Sequence, residues 1–455
     1  MKQLFIILFI SLSILHLHSQ DKVDLAKTPP MGWNSFNCFG ATVTEAEVKE
    51  NANYLAKNLK KHGWEYIVID YCWSYPHHPK STQSDPGQMR LPKDKSYQPW
   101  LSMDEYGRLL PYTGKFPSAK DNNGFKPIGD YIHGLGLKFG IHVMRGIPRQ
   151  AVWEKSKILG TNGITADMIA DTTSTCRWLD NMYGLDMSKP GAQEYLNSLL
   201  ELYASWGVDF IKLDDISNPY YTKEIEGYAH AIKKTNRHIV LSLSPGKAPV
   251  EKSDHLVKYA NMWRISADFW DNWTQLKDMF RLANSWNGKG QPGAWPDCDM
   301  LQIGVLSKRG PVGNQRYSRF TTDEIYSHFT LWSIFKSPLF IGCNLPENRE
   351  FELSLLTNDE VIAVNQKSEL PFLVKSKQED IIIWCSKQSS DKYNIAIFNI
   401  ADEKQSIKLN FNELLGIRGT FKVRDLWQKQ DIEKKTSKIG RDLNPHACCL
   451  LQISK

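Results

Sequence analysis

Six aspartates stand at or just past the ends of short apolar runs: Asp70, Asp214, Asp215, Asp268, Asp297 and Asp299. Trp33, Trp73, Trp263, Trp270, Trp295, Lys212 and Arg264 accompany them. Carboxylates beside rings, without a His/Cys/Asp metal triad, are the equipment of glycoside hydrolysis. One carboxylate attacks or activates water, another protonates the departing oxygen, and rings hold the sugar. An Asp after a strand is commonly a helix N-cap, but six at the same end of successive strands would need several caps to coincide. No metal and no cofactor is expected. His77-His78 has no third ligand in view, and Gly134-Leu135-Gly136-Leu137 is a helix-to-strand turn rather than a nucleotide fingerprint.

Such a set needs strands that all end on one face. Strand-like runs recur at Met31–Phe36, Tyr66–Tyr71, Lys138–Val143, Phe210–Asp215, Ile239–Ser244, Met262–Asp268, Trp295–Leu301 and Pro338–Cys343. Several are continuously apolar, as parallel strands covered by helices are. Amphipathic stretches lie between them, including Val43–Lys61, Gly191–Trp206, Thr222–Lys234, Gln275–Ser285 and Asp323–Phe335. Eight β–α repeats predict an α/β fold, a (β/α)8 TIM barrel whose chemistry gathers at the C-terminal ends of its strands. A doubly wound sheet would need a glycine-rich turn after the first strand, and Met31-Gly32-Trp33-Asn34-Ser35 is not one. After Val364-Asn365-Gln366 the pattern changes to short β runs at Asp380–Ser386, Tyr393–Ile400, Gln405–Asn410, Gly419–Leu426 and Ala447–Ile453, with no convincing helix. They predict a C-terminal antiparallel β-sandwich. The expected division is a signal peptide over 1–20, the barrel over 21–370 and the β domain over 371–455.

The 455 residues suit a barrel with a smaller companion, and a net charge of +6 spread along the chain is not a nucleic-acid footprint. Fifteen Trp, 18 Tyr and 19 Phe leave two readings open, sugar-stacking surfaces or a large aromatic core. Met1-Lys2-Gln3, the apolar run Leu4–Leu15 and the polar His16-Leu17-His18-Ser19-Gln20 describe a cleavable secretory signal. The protein is therefore expected to be exported, with no membrane span. Eight cysteines in an exported chain permit disulfides; Cys38 and Cys72 are one candidate pair, and Cys448 and Cys449 are expected to face opposite ways on a strand.

Thr28-Pro29-Pro30-Met31-Gly32-Trp33-Asn34-Ser35-Phe36 resembles the entry strand of glycoside hydrolase family 27, the α-galactosidase and α-N-acetylgalactosaminidase family. So do Tyr66-Ile67-Val68-Ile69-Asp70-Tyr71-Cys72-Trp73, the stretch from Gly207 to Asp214, Trp263-Arg264-Ile265-Ser266-Ala267-Asp268, Trp295-Pro296-Asp297-Cys298-Asp299-Met300-Leu301 and the stretch from Leu331 to Leu339, in the family's order. The resemblance implies a retaining exo-glycosidase with Asp214 as nucleophile and Asp268 as acid/base. It also implies that Lys212 contacts sugar hydroxyls, that Arg264 lies near the 2-position, and that Asp70 is the first of two aspartates holding the 4- and 6-hydroxyls. Trp33, Tyr71, His142, Ser244 and Asp299 complete the expected substrate-binding set. Asp215 is the rival to Asp214, and only one of two adjacent strand residues should aim at the sugar.

Four departures fall where sugar identity is read. Tyr71 replaces the family's second Asp, and Phe36 a stacking Trp. Ile141-His142-Val143-Met144-Arg145 stands where a Tyr followed by an Asp is usual, and Leu243-Ser244-Pro245-Gly246 where Cys-Glu-Trp is usual. Ser244 matches the Ser of the N-acetylgalactosaminidases. The expected substrate is an oligo- or polysaccharide ending in α-D-galactose. β-L-Arabinopyranosidase, α-N-acetylgalactosaminidase and isomaltodextranase-like activities stay open within the same fold. In the insert from Arg145 to Trp178, Arg145 and Arg149 either read an anionic sugar substituent or pair with acidic residues; His142 is either a sugar contact or a packed barrel residue. A non-catalytic carbohydrate-binding barrel is the rival from another class. A barrel aldolase or isomerase would need a Schiff-base lysine or a metal cluster.

Overall fold

A computed structural model describes residues 25–75, 101–179 and 181–455. The expected signal peptide and His77-His78 lie outside these residues. Eight parallel strands follow one another: β1 (Met31–Asn34), β2 (Tyr66–Ile69), β3 (Lys138–Met144), β4 (Phe210–Asp214), β5 (Val240–Leu243), β6 (Met262–Arg264), β7 (Trp295–Asp297) and β8 (Leu339–Ile341). They pair in chain order from β1 to β7, and β8 pairs with β1. A parallel bridge between Leu301 and Ile341 joins the chain beyond β7 to β8. The α/β barrel expected from the eight apolar runs is therefore present, each run holding one strand.

Alternation sorts the strand residues. Inside lies a cluster of Tyr66, Val68, Phe210, Val240, Met262, Trp295 and Phe340, with the Phe210 ring 5.4 Å from Tyr66 and 5.2 Å from Phe340. Gly32 and Gly140 make room for these rings: a Cβ at Gly32 would lie 2.6 Å from Tyr66 Cβ, and one at Gly140 2.9 Å from Phe210 Cβ. Two residues on, at the C-terminal ends, the same inward positions carry Asn34, Asp70, His142, Lys212, Ser242 and Arg264. One periodicity thus supplies both the plug of the barrel and the floor of its mouth.

Outside, helices cover the strands. α1 (Glu45–Tyr54) and α5 (Thr322–Phe335) begin with capping boxes at Thr44 and Thr321. α2 (Ala192–Ser205) buries Tyr195, Leu196, Leu199 and Tyr203; α3 (Thr222–Lys234) buries Ile225, Tyr228 and Ala231; α4 (Trp273–Ser285) buries Leu276, Met279 and Phe280. α5 is buried almost all round. Its inner side carries Trp332, whose Nε1 donates to Asp299 O at 2.6 Å. Its other side meets the C-terminal strands: Ser327 Oγ donates to His446 O, Trp427 Nε1 donates to Thr330 Oγ1, and Phe335 packs edge-on to Trp384.

Between β3 and α2 the insert forms a three-stranded antiparallel ribbon of Ile147–Pro148, Met182–Leu185 and Ala170–Thr175. Two of its strands are only two and four residues long and the third, Ala170–Thr175, is Thr-rich, so no long apolar run announces them. Beyond residue 371 a six-stranded antiparallel sheet runs in the spatial order Phe372–Val374, Ile381–Ser389, Lys392–Asn399, Cys448–Ser454, Phe421–Asp425, Gln430–Thr436. It shares a core with the pair Gln405–Asn410 and Lys438–Leu443, through Ile383, Ile395, Val423 and Leu451 against Ile407, Leu409 and Ile439. The expected sandwich is there, with two differences. Gln430–Thr436 and Lys438–Leu443 are strands despite their charges, because edge strands expose one face. Phe411–Leu415 is a short helix, capped by Asn410.

All eight cysteines are free thiols, which corrects the disulfide expectation. Cys38 feels Lys308 and Glu347, whereas Cys72 feels Lys115 and Asp70, so the two thiols occupy different surroundings. Cys448 touches Thr330 at 3.2 Å and Cys449 lies in the sandwich core, on opposite faces as expected. No helix among the described residues is long and apolar enough to cross a membrane.

Candidate active site

β3 and β4 pair with His142 opposite Lys212 and Met144 opposite Asp214. Asp214 ends β4, almost wholly buried, and each of its oxygens has a donor: Oδ1 accepts from the Asp215 N–H at 2.9 Å, Oδ2 lies 2.8 Å from His142 Nε2. A carboxylate only accepts, so Nε2 carries the hydrogen. Burial pushes the Asp214 carboxyl up, but the His142 bond and charge and then the Lys212 charge outweigh it, holding Asp214 below the usual carboxylate value.

Asp215 turns the other way. At a φ of 57° it meets the buried Arg145, Nη2 to Oδ2 3.0 Å. Arg145 also reaches Glu224 at 2.8 Å, and its guanidinium lies 3.6 Å from the Tyr221 ring centroid. Its backbone N–H donates to Asp214 O at 3.0 Å. Of the two readings left open for Arg145, pairing with acidic residues is the one observed. The Arg149 guanidinium sits over the Tyr183 ring at 4.9 Å.

Asp70 extends β2 inward and is buried. Its Oδ2 accepts from Asn34 Nδ2 and Lys212 Nζ, both at 2.8 Å, and its Oδ1 from the Tyr71 N–H at 2.9 Å. Burial works against ionisation, yet the Lys212 charge prevails and holds Asp70 at about 2. Burial also opposes charge on Lys212, but Asp70 and Asp214 keep its pKa raised.

From β6, Arg264 places Nη2 2.8 Å from Asp299 Oδ2 and 3.4 Å from Asp268 Oδ1. The Asp268 side chain is 49% exposed, so about half of it is buried. Trp263 points into the shell between barrel and helices, against Trp286. Asp299 is buried and accepts from the Phe269 N–H at 2.7 Å; burial and then the Asp268 and Asp297 charges raise its pKa against the pull of Arg264. Asp268 and Asp214 both act electrostatically on Tyr71, Lys212 and Arg264. Ser244 lines the cavity floor beside Lys212, Arg264, Asp297 and Asp299.

The remaining wall is aromatic. Tyr71 packs edge-on to Phe36 at 5.4 Å, His142 at 6.1 Å and Trp178 at 6.4 Å, while Trp270 lies 6.3 Å from Phe36. Trp33, expected at the sugar, is instead core: it is fully buried on the outward side of β1 and its Nε1 donates to Cys343 O at 2.7 Å. Trp73 is core too, with Nε1 on His142 O. The site residues absent from the expected set are Asn34 and Trp178. The two-residue alternation from Gly32 identifies Asn34; nothing in the insert's pattern singles out Trp178.

Comparison with known proteins agrees with this geometry. Residues 178–367 match the family model described as alpha galactosidase A, and residues 378–453 match the alpha galactosidase C-terminal beta sandwich domain. The chain is 26% identical to alpha-galactosidase 2 of Arabidopsis thaliana, over 95% of this chain and 90% of that protein. It is likewise 26% identical to the alpha-galactosidase of Cyamopsis tetragonoloba, over 93% and 85%. The crystal structure of a GH27 β-L-arabinopyranosidase from Geobacillus stearothermophilus superposes with a TM-score of 0.89 at 46% identity, covering 95% of this chain and 98% of that one.

Proposed function

Because the chain belongs to glycoside hydrolase family 27, we propose that it is a retaining exo-glycosidase acting by double displacement on single terminal sugars, with β-L-arabinopyranose preferred over α-D-galactose. One observation supports the mechanism: a buried carboxylate on β4 whose pKa is held low and a half-exposed carboxyl beside Arg264 beyond β6 both act electrostatically on Tyr71, Lys212 and Arg264. Asp214 attacks the anomeric carbon while Asp268 protonates the glycosidic oxygen. The bond to the aglycone breaks, leaving a glycosyl ester on Asp214. Asp268, now a carboxylate, takes a proton from water, which attacks the same carbon and frees Asp214. Exposure suits Asp268 to this task, since it must meet a leaving group and then a water from outside.

Tyr71 supports the choice of sugar. β-L-Arabinopyranose has the ring configuration of α-D-galactopyranose without the hydroxymethyl group at C5. Where the family resemblance sets the second of two carboxylates for the 4- and 6-hydroxyls, this chain sets a phenol ring packed among Phe36, His142 and Trp178. Asp70, fixed by Asn34 and Lys212, remains for the 4-hydroxyl. The activity named for the Geobacillus protein supports the same choice.

The test is a panel of nitrophenyl glycosides with the product anomer followed by NMR. We expect kcat/KM for the β-L-arabinopyranoside to exceed that for the α-D-galactoside by about tenfold or more, with retention. A faster α-galactoside would restore galactose as the principal substrate. A faster N-acetylgalactosaminide would make Ser244 the deciding residue. Binding without turnover of any sugar would make the protein a lectin-like barrel. We also infer export, supported by the apolar run Leu4–Leu15 after Lys2; removing residues 1–20 should keep the protein inside a producing cell.

A further inference from the structure

His142 sits in the site with a partner that neither reading of the sequence assigned to it. It is buried on β3, with Asp214 and Lys212 on β4 to one side and Asp70 and Tyr71 at the end of β2 to the other. Its backbone carbonyl is pinned by Trp73 Nε1 at 2.7 Å and its ring meets Tyr71 edge-on, so the imidazole has little freedom. Its Nε2–H points at Asp214 Oδ2 at 2.8 Å, while Oδ1 is held by the Asp215 N–H.

We propose that His142 is a positioning residue for the nucleophile, which by donating from Nε2 fixes the plane of the Asp214 carboxylate and assists its departure from the glycosyl-enzyme. This rests on the double displacement proposed above. In the first step the Asp214 carboxylate loses charge as the ester forms; in the second it regains that charge as the C1–O bond breaks. A donor at Oδ2 binds the charged form more strongly than the ester. It therefore stabilises the transition state of deglycosylation relative to the intermediate, and offers less to the formation of the ester. No proton leaves the imidazole in either step: the bond tightens and loosens with the charge on Asp214.

The arrangement makes a kinetic prediction that packing alone would not. With an aryl glycoside whose good leaving group makes the second step limiting, His142→Phe should lower kcat on the order of tenfold to a hundredfold, the loss of one charge-assisted hydrogen bond. KM should fall with it, because the glycosyl-enzyme accumulates. A burst of released phenol near one equivalent per enzyme should appear in rapid mixing. His142→Gln, whose amide can donate but cannot take a proton, should recover most of kcat. Equal losses in kcat and kcat/KM without a burst, or a Gln variant no better than Phe, would overturn the proposal; should the Phe variant fail to fold, the burst and the kcat-against-KM split of the Gln variant decide alone. A fluorinated glycoside that traps the wild-type intermediate keeps the two ideas separable. A label found away from Asp214 ends the mechanism itself. A label on Asp214 with wild-type kinetics in both His142 variants ends only the positioning role of the imidazole.

Discussion

The two walls of the pocket are held by different physics. On the wall built by β3, β4 and β6, charged groups are tied to fixed partners: Asp214 to His142, Arg145 to Asp215 and Glu224, and Arg264 to Asp299. On the facing wall Phe36, Tyr71, Trp178 and Trp270 meet mostly edge to face or tilted. Removing one partner from a buried pair strands the other at a cost of about 3–5 kcal/mol, so the first wall tolerates little change. Rings exchange for other side chains at the cost of packing and desolvation alone. This contrast fits the departures at Tyr71 and Phe36, whereas His142 and Arg145 depart from the family pattern on the charged wall itself and hold fixed partners there.

The strongest challenge to the contrast is Asp214→Asn. It should lower kcat on the order of 10⁴-fold or more on every sugar alike, in steady-state assays with activated glycosides. Tyr71→Asp attacks the other wall. It should move the ratio of kcat/KM for α-D-galactoside over β-L-arabinopyranoside upward by roughly tenfold to 200-fold, with the better kcat changed far less. A Tyr71 variant that lost all activity equally would erase the division between the walls.

Acid separates the walls further. Asp214 is held below the ordinary carboxylate value, so kcat/KM should persist as pH falls through that range and drop only beneath it, when the nucleophile takes its proton. Asp70, held at about 2 against a reference of 3.8, gives stability that is full above 3.8 and is lost as pH falls through 2. That contribution is about 2 kcal/mol. Asp70→Asn should therefore flatten the acid flank of Tm against pH. The smallest effect belongs to Trp33→Phe, which removes one hydrogen bond to Cys343 O. It should cost about 1 kcal/mol in denaturant unfolding and leave the sugar ratio untouched.

The barrel strands were legible because all but β8 are apolar runs ending in a polar inward residue, so one pattern marked the element and its contribution to the site. Asp70, Lys212, Asp214 and Arg264 followed directly. Trp33 misled because an aromatic beside an active-site strand can face either side, and alternation from Gly32 sends it outward. His142 was legible as a position but not as a partner, since its meaning comes from the register that sets β3 against β4. Trp178 was beyond reach. It lies in the connection between Ala170–Thr175 and Met182–Leu185, where Arg145, 29 residues before Ser174, bonds the Ser174 hydroxyl at 3.0 Å. The charged strands Gln430–Thr436 and Lys438–Leu443 failed for a related reason, as their pairing partners rather than their own composition make them strands.

Helix α5 has a bearing on how such a protein can be rebuilt. One side of it steadies Asp299 through Trp332, and the other is roofed by the terminal strands through Ser327, Thr330 and Phe335. The tail is thus no detachable cassette. A chain cut after Lys367 would bare the flank of a helix that abuts the catalytic pocket, and should be recovered as aggregate rather than as a smaller working enzyme. Grafting a new specificity onto this scaffold is a matter for the loops at the mouth, and the two halves must travel together.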